Sequence, residues 1–397
     1  MVSSDFGFND NIALPDVKSA KPELTGAQPA DTAVAVNPWI ISPVIDFIFI
    51  YGGAFWVLFI LHVALFGFNA ANLTNLRVHA GATIDWGISQ WWVLMALTTP
   101  VLINNTHTWA TYMRIYGSSE DRERFKFYGR YLIWLPLVLF ASSIIYPPLQ
   151  GWIIYIHMGW VFQHYTSQTY GVGLIYCYKR NYIMDNREKQ VYKLMLSSIS
   201  MYVITQLLCI KSVMPADMWG VPLPFAGFPP QLHYMAVAFL VIMSFVFSGF
   251  VIRRYIRDKT LMPLPCLTMI LGVALLGTIN DYGSLIAWLW APPFLHGAQY
   301  CLISLAYYLK EKGLPNGLHT SQISKALLTL PAIKWMAWAI MGGNFIYIVI
   351  PHIMADFGFS FMAIVSVVQG CVNFHHFLTD GAIWKLRDQK TRQILIS

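Results

Sequence analysis

The sequence predicts an all-α fold, a polytopic transmembrane bundle of about ten helices. Three observations carry this expectation. The chain is 56% hydrophobic and only 11% charged, where a soluble domain carries roughly 25% charged residues. Long apolar runs recur from residue 42 to residue 384, and about 18 such residues suffice to cross a hydrocarbon core. The basic residues are also sorted, with 24 of the 26 Lys and Arg in the termini and alternate connections, the bias that marks a cytoplasmic face.

Residues 1-38 mix Asp, Pro, Ala and Gly with no apolar stretch and no basic start. Such a segment reads as a disordered tail, not a cleaved signal. Ten spans follow at about 42-68, 86-113, 130-147, 151-178, 192-212, 232-252, 262-280, 283-309, 332-351 and 358-384, within a membrane domain over 39-386. Residues 387-397 form a C-terminal tail. With both termini cytoplasmic, the inner segments include "RIYGSSEDRERFKFYGR", "KRNYIMDNREKQVYK", "RRYIRDK" and "KLRDQKTRQILIS", and only Arg77 and Lys211 fall on the other side. One helix more or fewer would scramble that alternation. Pro263, Pro265, Pro292 and Pro293 are expected to kink or break the seventh and eighth spans.

Five cysteines, Cys177, Cys209, Cys266, Cys301 and Cys371, stand singly in apolar segments. They suit core packing and give neither a disulfide framework nor a zinc motif. The net charge of +7 comes from short loops between spans, so a lipid bilayer accounts for it and nucleic acid is not an expected partner. "GVG" at 171-173 lies inside a span and suits close helix contact instead of a phosphate loop.

Depth sorts the eleven histidines. His62, His157, His233 and His352 fall in outer halves or at outer ends of spans, and His79 and His319 in loops, where interfacial or local bonding explains them. The other five are His107, His164, His296, His375 and His376, on the second, fourth, eighth and tenth spans, all running inward. His107 precedes Arg114 by 7 residues, His164 precedes Lys179 by 15, His296 precedes Lys310 by 14 and His376 precedes Lys385 by 9. At about 1.5 Å per residue these imidazoles share a band roughly 10 to 22 Å above the inner face.

Each helix adds polar neighbours at helical spacing. Gln369, Asn373, His376 and Asp380 make one stripe on the last span, with His375 beside it. Gln168 follows His164 by four residues, Gln299 and Tyr300 follow His296 by three and four, and Asn104 and Thr111 flank His107. Such a stripe is costly against lipid and should face the interior. Metal-bound imidazoles are commonly oriented by a carboxylate, amide or carbonyl on the second ring nitrogen. His107, His164, His296, His375 and His376 are therefore candidate metal ligands, Asp380 a catalytic carboxylate or ligand, and Gln168, Gln299, Asn373 and Tyr300 groups that orient the cofactor.

Three functions compete on these residues. The first is a metal-dependent oxidoreductase or oxygenase, with non-haem iron, acting on a lipophilic small molecule. The HxxxH and HxxHH clusters of membrane hydroxylases and desaturases are absent. The second is a haem- or chlorophyll-type pigment-binding subunit of a membrane protein complex, with histidines as axial ligands. The third is a transporter, disfavoured because Asp380 is the one carboxylate clearly within a span; Asp46 and Asp281 sit near span ends.

Five stretches, "ISPVID" (41-46), "HTWATYMRIY" (107-116), "HYTSQTYGVGLIYCYKR" (164-180), "HGAQY" (296-300) and "NFHHFLTDGAIWKLR" (373-387), resemble a largely uncharacterised family of bacterial polytopic membrane proteins. The resemblance rests on H-x-W-A, H-Y-x-x-Q-x-Y-G and N-x-H-H-x-x-x-D-G-x-I-W motifs. It implies a shared inner-membrane fold and a shared site, without an activity. "HGAQY" is also similar to the His-Gly-Ala-x-Asp setting of membrane carotene-cleaving dioxygenases, but lacks the Asp.

Overall fold

In lipid, a chain satisfies its backbone either within helices or in a closed barrel, and helix dominates here. The computed structural model describes residues 37–66, 98–214, 216–278, 292–314 and 322–396. Expectations for residues 1–36, for 67–97 with Arg77 and His79, for 279–291 with Asp281, and for His319 lie outside the described residues. The main helices are α1 (Gly53–Phe66), α2 (Asn105–Tyr116), α3 (Ser119–Arg124), α4 (Trp134–Ile145), α5 (Pro148–Lys179), α6 (Asn186–Cys209), α7 (Pro230–Asp258), α8 (Leu264–Thr278), α9 (Ala298–Lys312), α10 (Leu330–Asn344), α11 (Phe361–Ile383) and α12 (Gln389–Ile396).

Every expected span meets helix in its described part. Among the described residues, five runs are long and apolar enough to cross a membrane: Phe127–Ile145, α6, α7, Leu330–Asp356 and α11. α5 is the longest helix at 32 residues, and the polar stretch QHYTSQTY lowers its hydropathy. The all-α expectation needs one small amendment, because Asp217–Met218 pairs antiparallel with Val221–Pro222 in a two-stranded hairpin.

Local sequence explains the boundaries. The first span is not continuous: Gly52 adopts φ +76°, and a Cβ there would strike Leu295, so the helix stops at Tyr51 and restarts as α1. Asp185 and Glu188 form a reciprocal capping box at the start of α6, each satisfying an orphan backbone N–H. Pro265 lies in the first turn of α8, where its missing N–H removes no helical bond. From Pro292 onward the described chain is helical, and Pro293 opens a π-helical turn, Pro293–Gly297, that leads into α9. Pro100 opens a similar turn, Pro100–Asn104, ahead of α2. A wider turn accommodates a ring that cannot donate to the ladder, and such turns often re-aim side chains at functional sites.

Close backbone approaches fix the helices that matter most. A Cβ on Gly342 would collide with the Trp109 ring and one on Gly343 with the Asn105 carbonyl, so α10 lies hard against α2. A Cβ on Gly173 would meet the Tyr192 hydroxyl, while Gly171 faces open space. Of the GVG pair, Gly173 therefore makes the close contact, between α5 and α6.

Charged residues at the basic ends of the helices join α12 to the bundle. Lys390 pairs with Glu120 at 2.8 Å and Glu311 at 3.0 Å, and Arg124 pairs with Asp388. Arg114 lies 2.6 Å from Asp121, whose side chain is fully buried. Burial works against the Asp121 charge, yet the hydrogen bond and charge of Arg114, with Ser118 and Lys390, hold its carboxyl below the usual carboxylate range.

Candidate metal centre

Four helices deliver one imidazole each to a common point. His107 comes from α2, His164 from α5, His296 from the π-helical turn before α9 and His376 from α11. All four are buried, at 4%, 5%, 2% and 0% exposure. The rings form a closed quadrilateral: His107–His296 4.9 Å, His296–His164 4.8 Å, His164–His376 4.8 Å and His376–His107 5.0 Å between centroids. The His296–His376 diagonal is 6.4 Å.

Among the described residues, His107 Nδ1, His164 Nε2, His376 Nε2 and both nitrogens of His296 are buried without a hydrogen-bond partner. Each buried polar atom left so costs roughly 1–3 kcal/mol. Five of them in one cluster of rings call for a partner. A proton is a poor one, since charging several imidazoles at this spacing adds mutual repulsion to desolvation. A metal ion would accept one lone pair from each of the four rings, leaving the other His296 nitrogen, an N–H in the neutral imidazole, outside the coordination.

Asp380 completes the donor set. Its Oδ1 accepts from the Tyr300 hydroxyl at 2.7 Å and from Thr111 at 3.2 Å, while Oδ2 lies 3.6 Å from His376 Nε2 and 3.8 Å from His164 Nε2. Two ligands each about 2.1 Å from one ion lie at most about 4.2 Å apart, a limit both distances meet. Two sets, His107 with His296 and His376, and His164 with His376 and Asp380, keep their ligand atoms within 4.8 Å. His376 belongs to both. At the outer bound of 4.8 Å a pair would need to close by roughly 0.6 Å to reach that limit.

The surrounding groups orient this set, though not all as their spacing suggested. Thr111 was expected beside His107; its hydroxyl instead lies 2.7 Å from His376 Nδ1 and 2.7 Å from the Tyr300 hydroxyl. With Nδ1 engaged, Nε2 is the His376 nitrogen left for a metal. Tyr300 also accepts from Trp384 Nε1 at 3.0 Å, a contact the sequence reading missed, although Trp384 falls four residues after Asp380. Gln168 and Gln299 act on the backbone. Gln168 Nε2 donates to the His296 carbonyl at 3.2 Å and to Gln299 Oε1 at 2.6 Å, and Gln299 Nε2 donates to the Ile50 carbonyl at 2.8 Å. They pin the π-helical turn that carries His296.

Two expected members lie elsewhere. His375 turns away from the ring, stacks on Tyr112 at 5.3 Å and bonds the Tyr128 carbonyl through Nε2 at 3.0 Å; adjacent residues on a helix diverge by about 100°, so His375 and His376 do not share a face. Asn373 bonds His157 Nε2 at 2.9 Å and lies 3.4 Å from the Tyr347 hydroxyl, which reaches Thr108 at 3.4 Å. His157, expected to be a local interfacial residue, is thus part of an interior network. Aromatic rings close around the ring of imidazoles, with Phe377 stacked on His164 at 4.3 Å and Tyr165 against His296 at 4.6 Å.

Comparison with family models, with curated proteins and with solved structures finds no match to this chain.

Proposed function

We propose that the chain is a multi-pass protein of the cell's inner membrane, with about ten spans and both termini cytoplasmic, and that it acts as a metal-dependent oxidoreductase or oxygenase on a lipophilic substrate. The observation that carries the reading is the set of five unpartnered imidazole nitrogens in one buried ring. His107, His164, His296 and His376 would hold the ion, with Asp380 Oδ2 as a further donor. Nitrogen and carboxylate donors suit non-haem iron, which would supply oxygen chemistry and one-electron oxidation.

The chain's own residues supply the rest. Thr111 and Tyr300 fix the orientations of His376 and Asp380, Gln168 holds the backbone of His296, and the aromatic shell of Tyr165 and Phe377 excludes water. Apolar surroundings of that kind favour an oily substrate over a charged one. Four family-like stretches, those beginning at His107, His164, His296 and Asn373, converge on this ring, in keeping with the resemblance to a membrane protein family.

The pigment reading is less well supported, because imidazoles packed within 4.8–6.4 Å of one another leave no flat slot for a macrocycle between them. Metal analysis with an absorption spectrum of the purified protein tests both. One iron per chain without a Soret or chlorin band is the expected result. A pigment band would replace the enzyme reading with a pigment-binding subunit, and neither metal nor pigment would leave a transporter.

A further inference from the structure

Two family-like stretches carry aromatic residues whose mutual contact the holding of an ion does not require: "HGAQY" ends on Tyr300 and "NFHHFLTDGAIWKLR" contains Trp384. Tyr300 is buried, at 3% exposure, against three of the four imidazoles. Its ring centroid lies 5.4 Å from that of His376, 5.8 Å from His107 and 6.4 Å from His296. Its hydroxyl donates to Asp380 Oδ1 at 2.7 Å and accepts from Trp384 Nε1 at 3.0 Å, and the Tyr300 and Trp384 rings lie 5.8 Å apart. Trp384 caps the C-terminus of α11 and is only half-buried. Two rings in contact thus lead from the imidazoles to the protein surface.

A phenol gives up an electron readily only when its proton has somewhere to go, and an acceptor within hydrogen-bond reach of the hydroxyl supplies that place. Asp380 divides its oxygens in this way: Oδ2 faces His164 and His376 at 3.8 and 3.6 Å, and Oδ1 holds the phenol. Neither of two neighbouring tyrosines has such an acceptor among the described residues. Tyr307 packs 5.6 Å from Trp384, but its hydroxyl meets a donor, Arg114 Nη2, at 2.9 Å. Tyr165 lies 4.6 Å from His296, and its hydroxyl makes no hydrogen bond to a described residue. Tyr300 is therefore the tyrosine at the ring that is prepared to lose an electron and a proton together.

We infer that Tyr300 and Trp384 relay single electrons from a reductant at the surface to the ion, and so drain an oxidising equivalent that no lipophilic substrate has consumed. The relay rests on the metal-dependent reading of the ring. Once the ion has been oxidised by a peroxide, one electron leaves Tyr300 for the ion while the phenol proton passes to Asp380 Oδ1. A neutral phenoxyl radical remains. Trp384 then gives one electron to Tyr300, the proton returns from Asp380 to the Tyr300 oxygen, and the indole carries the positive charge. A one-electron reductant of the enediol class, ascorbate among them, restores Trp384 at the surface and releases its own proton to water. The net change is one electron moved from reductant to ion.

The test uses the full chain loaded with ferrous iron, oxidised with hydrogen peroxide in the absence of lipophilic substrate, freeze-quenched and read by electron paramagnetic resonance, with each signal divided by bound iron. A tyrosine radical is expected, identified by the collapse of its hyperfine pattern when the chain carries ring-deuterated tyrosine. Tyr300→Phe is expected to abolish it and Tyr165→Phe to keep it. Trp384→Phe is expected to bind the same iron and to hold the radical severalfold longer in the presence of ascorbate. Peptide mass spectrometry of that variant should also find more oxidised His107 and His376, because the oxidising equivalent has lost its exit. A purely structural Tyr300 would lower bound iron without changing radical per iron. A radical that survives Tyr300→Phe at the wild-type yield per iron therefore overturns the proposal, and a lifetime unchanged in Trp384→Phe overturns the relay. Iron bound by the wild type without any radical defeats this inference alone, whereas a chain that binds no iron defeats it together with the metal reading.

Discussion

The same three helices build two polar clusters in the bundle interior, and the clusters differ in one respect. α2 gives His107 to the imidazole ring and Thr108 to the second network, α5 gives His164 and His157, and α11 gives His376 and Asn373. In the second network Asn373 bonds His157 and Tyr347, and Tyr347 bonds Thr108. Among the described residues, none of its side-chain nitrogens and oxygens is both buried and unpartnered. The ring, built on the same helices, leaves five nitrogens without partners among the described residues. The neighbouring network therefore works as an internal control. Single unpartnered atoms do occur elsewhere on these helices, as at Gln168 Oε1 and His375 Nδ1; the ring differs in gathering five in one cluster, a concentration that an external partner would explain.

The comparison breaks first at the ligands. His164→Ala and His376→Ala should each reduce bound metal from one equivalent to about a tenth or less, since each removes a nitrogen from a set of few donors. Full metal content in both variants would contradict the assignment. His375→Ala should leave metal content unchanged, because His375 bonds the Tyr128 carbonyl instead.

Asp380→Asn should have the next largest effect. The amide keeps an oxygen for the Tyr300 hydroxyl but loses the charge that faces His164 and His376 at 3.8 and 3.6 Å. Metal affinity should fall by about 10- to 100-fold, read by competition with a chelator. An unchanged affinity would reduce Asp380 to a hydrogen-bond acceptor.

Substitutions in the second network should act on stability and spare the metal. Asn373→Ala leaves His157 Nε2 unpaired and should cost about 1–3 kcal/mol. Tyr347→Phe removes only two long bonds of 3.4 Å and should cost about 0.6 kcal/mol, typical of polar contacts between membrane helices. Thermal unfolding in detergent reads both, with metal content as the second measurement. Loss of metal in either would merge the two clusters into one site.

What the sequence made legible follows from which geometry is local. The helices and the approach of His107, His164, His296 and His376 were readable, because spacing along a helix is local. The partners of each side chain were not, because they depend on how helices rotate against one another. Thr111 is one turn from His107 yet serves His376; Asn373 is one turn from His376 yet serves His157. Gln168 and Gln299 were expected to orient imidazoles and hold backbone carbonyls instead. The breaks were half legible: the prolines were visible, but the π-helical turns that absorb Pro100 and Pro293 depend on the packing of the turn.

The last expected effect concerns a third polar cluster, the ion pairs at the basic end, where Asp121 is buried against Arg114. Asp121 holds its charge against burial because Arg114 lies 2.6 Å away, and its carboxyl is depressed below the usual range. A depressed carboxyl contributes stability that is fully present above its unfolded pKa, about 3.9, and is lost as pH falls through the folded value. Wild type should therefore be more thermostable than Asp121→Asn at pH 7, and the gap should narrow once pH drops below about 4. A gap that stays constant to pH 3 would mean that the carboxyl's charge contributes nothing there, and that hydrogen bonding alone holds α3 to Arg114. The ring should respond in the same direction but at higher pH, since acid protonates imidazoles and releases a bound metal. Chelator-free dialysis at pH 4 should strip the metal while the Asp121 contact persists, separating the imidazole ring from the charged cluster at the basic end.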